Sequence, residues 1–153
     1  MRLRAALLLP VLLLATPARA QDAGADGAML FERCAACHTA SGAGLPGAFP
    51  PLNHDFRVLA ARPEGRRYLV LVVSVGLIGP LQVDGASYRN VMPAQSGLDA
   101  ADIAAVLNHV GTRLSHDGPA FRAFTAAEVA GYAADAAKTN ASELAALHAR
   151  IDP

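Results

Sequence analysis

An all-α fold around one core is what the sequence predicts, and three observations predict it. Met29, Leu30, Arg33 and Cys37 mark a first helix, and apolar side chains recur with the helical period at Ile103, Val106, Leu107, Val110 and Leu114. Two helix-start signatures follow toward the C-terminus: Thr125-Ala-Ala-Glu128 has the form of a capping box, and Asn140 stands before Leu144, Leu147 and Ile151. The length of 153 residues suits a single domain, and an apolar share of 53% is that of a globular chain, not of a disordered one.

Residues 1–20 stand apart. Arg2 and Arg4 precede an apolar stretch from Ala5 to Ala15, and Ala18-Arg19-Ala20 has the small-x-small form of a cleavage site before Gln21. The stretch is about 11 residues where a spanning helix needs ~20, so it reads as a cleaved export signal and not as a membrane anchor. The later apolar run Tyr68–Leu81 is too short to span and is broken by Gly76, Gly79 and Pro80. The expectation is therefore a protein exported to the periplasm and soluble after cleavage, with a core domain over 21–118 and a C-terminal helical extension over 119–153. The formal charge of zero (13 basic, 13 acidic) includes three leader arginines, so the remainder is slightly acidic. Nothing favours nucleic acid or an anionic membrane surface.

Oxidising compartments favour disulfides, yet the only cysteines are Cys34 and Cys37. A bridge closing so short a loop constrains the unfolded chain very little. Redox thiols, a metal site and covalent haem attachment are the remaining readings, and the next residue, His38, completes Cys34-Ala-Ala-Cys37-His38, the haem c attachment signature. On a helix, positions i, i+3 and i+4 share a face, so two thiols can bond the porphyrin vinyl groups while the imidazole reaches the iron. A thioredoxin-like pair wants a preceding buried strand, and none is legible here. Zinc wants three or four ligands, and the five histidines show no finger-like spacing.

The iron then needs a second axial ligand or stays open. Met1 leaves with the signal, and Met29 lies on the attachment helix itself, where core packing accounts for it. Met92 remains, in Tyr88-Arg89-Asn90-Val91-Met92-Pro93, where the proline stiffens the loop. The rival histidines read otherwise: His54 follows Pro50-Pro51 and sits near a haem edge at most, His109 packs within a helix, and His116 and His148 are surface residues. An open distal position, as in a peroxidase-like enzyme or a gas sensor, is the alternative to methionine ligation.

The remaining elements follow in order. Gln21 to Asp26 is a polar lead into the attachment helix. Ser41–Asn53, rich in Gly and Pro, is an ordered loop. Pro63 opens a second helix to about Val75, although Val70, Val72, Val73 and Val75 suit a strand equally. Asp84-Gly85 is the turn of a small hairpin over Leu81–Tyr88. Asp99 is an N-cap with Asp102 at N3 of a helix that should cross the first. The C-terminal helices pack around the core, with a partner-docking tail as the alternative. Arg62, Arg66 and Arg67 form a local basic cluster that reads as solvated helix surface, a docking patch being the rival reading.

Together these residues resemble class I c-type cytochromes, in particular the small periplasmic monohaem group that also occurs as subunits or fused modules of dehydrogenases and nitrite reductases. The likeness runs from about Gly27 to Leu114 and rests on the attachment motif, the run Gly42 to Leu52, Gly76-Leu-Ile-Gly79-Pro80, and Val83-Asp-Gly85 leading to Tyr88 and Met92-Pro93. It implies a cytochrome c-like helical fold around one haem c, which tips Pro63–Val75 to helix. It also implies His38 as proximal ligand, Met92 as distal ligand, and the Pro46 carbonyl as acceptor of the His38 ring N–H. Tyr88 and Asn90 are implied at the distal haem or a propionate. The function implied is electron carriage between redox proteins such as a dehydrogenase, reductase or terminal oxidase, with no bond made to substrate. His109 departs from the family pattern, standing where an aromatic residue commonly packs between the terminal helices.

Overall fold

The computed structural model describes residues 23–151; the export signal expected over 1–20 lies outside them. Six α-helices follow in order: α1 (Ala23–His38), α2 (Phe56–Ala60), α3 (Pro63–Val75), α4 (Ala100–His109), α5 (Ala126–Ala133) and α6 (Ala141–Ile151). Between α3 and α4 lie four short strands: β1 (Gly76–Leu77), β2 (Leu81–Val83), β3 (Ala86–Tyr88) and β4 (Met92–Pro93).

Helix α1 turns Gly27, Phe31 and His38 inward, with Cys34 and Ala35 half-buried on the same stripe. It crosses α4 at Gly27, where a Cβ would stand 2.4 Å from the Ala105 carbonyl oxygen, so only glycine lets the two backbones approach this closely. One turn further along, Phe31 meets the ring of His109 at 5.3 Å between centroids. His109 thus occupies the aromatic position of the crossing, half-buried as its sequence context indicated. Met29 does not pack in the core as expected; it is 71% exposed, because it lies two residues off the Gly27–Phe31 stripe.

The ambiguous valine run is helical. Pro63 begins α3, and Gly76, at φ +83°, ends it. Val70 and Leu71 are both fully buried because α3 lies between two groups of core side chains. A helix covered on both faces loses its single apolar stripe, which is why periodicity alone was indecisive.

Asp99 accepts from the N–H groups of Ala101 and Asp102 while Asp102 holds the Asp99 N–H, so α4 starts with a reciprocal box. The helix continues as one π-helical turn over Val110–Leu114, closed by Ser115 N–H donating to the Val110 carbonyl at 2.8 Å. Gly111 opens a seat there for the Phe121 ring, which a Cβ would meet at 2.4 Å. The hairpin β2–β3 pairs Leu81 with Tyr88 and Val83 with Ala86, and its two turn residues, Asp84 and Gly85, both have positive φ.

The C-terminal extension is bound into the body of the protein. Asn108 on α4 holds both the N–H and the carbonyl of Phe124. Helix α6 packs on α3 and the strands, and the Ile78 N–H donates to the Ala141 carbonyl. The basic cluster is consumed by this extension and is not a solvated face. Arg66 is 1% exposed and makes a two-pronged bond to Glu128, with its guanidinium 3.7 Å from the centre of the Phe124 ring. Arg67 pairs with Asp135, and Arg62 donates to the Ile151 carbonyl at the end of α6. The expected box at Thr125 is half made. Thr125 accepts the Glu128 N–H, but the Glu128 carboxylate turns to Arg66 and Arg122 instead. A buried guanidinium is a stronger partner than an exposed N–H. Asn140 and Glu143 do form the reciprocal pair at the start of α6.

Candidate functional site

Cys34, Cys37 and His38 occupy the last turn of α1 and line an open cleft. Both cysteines are free thiols and half-buried. Burial pushes the Cys34 thiol above its ordinary pKa, Arg33 opposing and Cys37 adding to the shift. The wall is otherwise mostly apolar, with Leu59, Leu69, Val72, Leu77, Leu81 and Val83 at its back and Phe49 to Leu52 along one side.

His38 is buried, and its Nδ1–H donates to the Pro50 carbonyl at 2.8 Å. A carbonyl only accepts, so this bond places the ring proton on Nδ1 and leaves the Nε2 lone pair available to a metal. Burial lowers the pKa of the ring, the Pro50 bond pulling the other way, and a neutral imidazole is the form that ligates. The acceptor is Pro50, where the family likeness implied Pro46. Leu45 and Phe49 pair across a tight turn that carries Pro46 out to solvent, and the chain returns to the imidazole four residues later. Gly44 makes the return possible. It has φ +67°, and a Cβ there would lie 2.3 Å from the Phe49 oxygen and 2.6 Å from the Pro50 oxygen.

Met92 also lines the cleft, half-buried, in β4 paired antiparallel with β1. Gly76 faces Pro93 and Leu77 faces Met92, and the Gln95 N–H donating to the Val73 carbonyl at 2.9 Å ties the loop to α3. The strand pair went unread in the sequence because two-residue strands carry no periodicity. Tyr88, buried, and Asn90, exposed at the rim, line the same cleft.

Other expected neighbours lie elsewhere or were missed. His54 is exposed and pairs with Asp84 at 2.8 Å, and His116 is exposed. His148 is not a surface residue: it is 3% exposed, lines the cleft, and lies 3.7 Å from Asp55 through Nε2. A signal for it existed, since Leu144, His148 and Ile151 follow i, i+4, i+7 on the buried face of α6. Among the described residues no group of three or more His, Cys, Asp and Glu is placed to hold a metal ion.

The residues present suit a covalently held porphyrin. Two thiols and an imidazole with a free Nε2 share one helical turn, and they face a large apolar cleft with a thioether in its wall. Such a helical shell, with an attachment turn opening on an apolar cleft, is the architecture of a protein that holds haem covalently. The sequence pattern of the family described as cytochrome c matches residues 24–113. A protein named cytochrome c-552 from one strain of Thermus thermophilus is 44% identical over 109 residues, 70% of this chain and 74% of the relative. A second cytochrome c-552 from Thermus thermophilus is 44% identical over 107 residues, 69% of this chain and 82% of the relative. The chain belongs to the cytochrome c family. Its fold is cytochrome c-like, its cofactor is haem c, for which Cys34 and Cys37 have the attachment spacing, and it is a monohaem electron carrier.

Proposed function

We propose that this protein is an exported carrier that passes single electrons between redox proteins of the periplasm, as a free shuttle or as the electron-transfer subunit of a dehydrogenase or reductase. In this reading residues 1–20 are the cleaved signal, 21–118 the haem domain and 119–153 its helical extension. Cys34 and Cys37 bond the porphyrin, His38 is the proximal ligand and Met92 the distal one. When bound, haem c supplies a one-electron iron couple.

The single observation that carries the reading is the convergence of Cys34, Cys37, His38 and Met92 on one apolar cleft. His38 is held by Pro50 in the tautomer that ligates through Nε2. Met92 is held by the β1–β4 pairing, and a thioether ligand raises the potential and favours the ferrous state. The apolar wall disfavours the extra charge of the ferric state and acts in the same direction. Tyr88 and Asn90 close the cleft beside the methionine loop. A loop tied to α3 and β1 favours a filled distal position over an open one. Among the described residues no helix is long and apolar enough to cross a membrane.

The test is to produce the protein with the haem-ligation machinery and to record its ferric spectrum. Haem that survives acidic organic extraction and low-spin iron with the methionine signature are the expected results. Extractable haem sinks the attachment, and a high-spin ferric spectrum sinks the carrier reading in favour of an open iron. Met92→Ala should convert low-spin to high-spin iron.

A further inference from the structure

The back of the cleft holds one feature that haem attachment and axial ligation leave unused. Helix α6 delivers His148 into the wall, where a leucine would continue the stripe of Leu144 and Ile151. Its ring is 5.3 Å from the Tyr68 ring, and its Nε2 is 3.7 Å from an Asp55 carboxylate oxygen. His148, Asp55 and Tyr68 all line the cleft, and the side chains of His148 and Asp55 are only 4% and 15% exposed. A carboxylate and an imidazole thus face each other in an otherwise apolar wall, beside the space the prosthetic group fills.

We propose that His148, which faces Asp55, is a redox-linked proton site: its ring takes up one proton from solvent when the protein accepts an electron, and releases it when the electron leaves. The inference rests on haem occupying this cleft. Reduction removes one positive charge from the site, and in a poorly screened cleft a second positive charge is then tolerated more easily. Histidine is the side chain whose charge changes in the physiological range. The electron comes from the redox partner and the proton from water; no other bond forms or breaks. Asp55 faces the imidazolium that results, and the C-terminal extension thereby becomes part of the electron-transfer site.

Among the described residues, the surrounding charges leave Asp55 as the carboxylate facing this ring. On α3, Arg66 is bound by Glu128, Arg67 by Asp135, and Glu64 lies exposed in the first turn. Arg62 holds the Ile151 carbonyl. Strands β1, β2 and β3 carry no charged residue, and Asp84 in the hairpin turn pairs with His54. On α6 itself, Glu143 holds the Asn140 N–H and Arg150 is exposed. Arg33 and His38 line the cleft from α1, His38 being bound to Pro50.

The test is a spectroelectrochemical titration of the haem-loaded protein between about pH 5 and 8. The wild-type potential should fall as pH rises, by up to a tenfold change in the reduction equilibrium per pH unit, or about 59 mV for one electron. His148→Gln, which retains a polar group of similar reach, should abolish that slope while the absorption spectrum stays low-spin. Where that variant folds poorly, proton NMR of the wild type decides: the His148 ring should titrate at higher pH in the ferrous than in the ferric protein. A potential independent of pH in the wild type, an unchanged slope in His148→Gln, or coincident ring titrations would overturn the proposal. These outcomes differ from failure of the functional reading, which shows as lost haem or high-spin iron.

Discussion

Gly76 and Met92 meet backbone to backbone: a Cβ on Gly76 would stand 2.5 Å from the Met92 carbonyl oxygen and 2.8 Å from the Ala94 nitrogen. Gly76 also has φ +83° and ψ −176°, a region essentially closed to other residues. Gly76→Ala should therefore displace the strand that carries Met92 and cost about 1–3 kcal/mol. Denaturant unfolding followed by haem absorbance should show the methionine-ligated spectrum lost at lower denaturant. Wild-type stability and spectrum would contradict this account of the loop.

A second comparison separates Gly44 from Pro46. Gly44→Ala should push the Pro50 carbonyl away from the His38 ring, weakening the bond that orients the imidazole and shifting the midpoint potential. Pro46→Ala, in an exposed turn, should leave the potential unchanged and stability within about 0.5 kcal/mol. Potentiometry on the two variants is the measurement, and an effect confined to Pro46 would reverse the assignment.

Glu128 clamps the C-terminal extension to the core through Arg66. Its bonds to that guanidinium, with help from Arg122, hold its carboxyl at about 2, below the ordinary 4.5. The ion-paired form is favoured in the folded protein, so its stabilisation is complete above the unfolded value and is lost as pH falls from 4.5 toward 2. Glu128→Gln should cost about 1–3 kcal/mol at neutral pH, because buried Arg66 loses its carboxylate partner and keeps only the carbonyls of Ala60, Arg122 and Ala123. It should also flatten the acid limb of the stability profile, which calorimetry at several pH values can check.

His109 carries a liability at the crossing of α1 and α4. Among the described residues its buried Nδ1 has no hydrogen-bond partner, and burial, with Arg113 nearby, lowers its pKa. The unfolded chain binds a proton that the folded one resists, so stability should fall as pH drops below about 6.5. His109→Phe should remove both the unsatisfied nitrogen and that pH dependence, gaining about 1 kcal/mol at neutral pH and more in acid. Thermal melts of the two proteins across about pH 5 to 7 decide it, and a variant less stable than wild type would show that His109 contributes contacts a phenyl ring cannot replace.

Much of the site is legible in the sequence. The attachment turn is a local feature: Cys34, Cys37 and His38 share a helical face because of their spacing, and Met92 stands out because few methionines compete with it. The Asp99 box, the Asp84-Gly85 turn and the start of α6 are likewise decided within a few residues, by capping and turn chemistry. The long-range partners were not legible. Pro50 replaced Pro46 because closure of the 45–49 turn decides which carbonyl returns to the imidazole. Arg66 on α3 and His148 on α6 are buried because elements distant in the chain pack over one another. Sequence spacing determines which side chains share a face of their own element; what covers that face is settled only when elements distant in the chain compete to bury it.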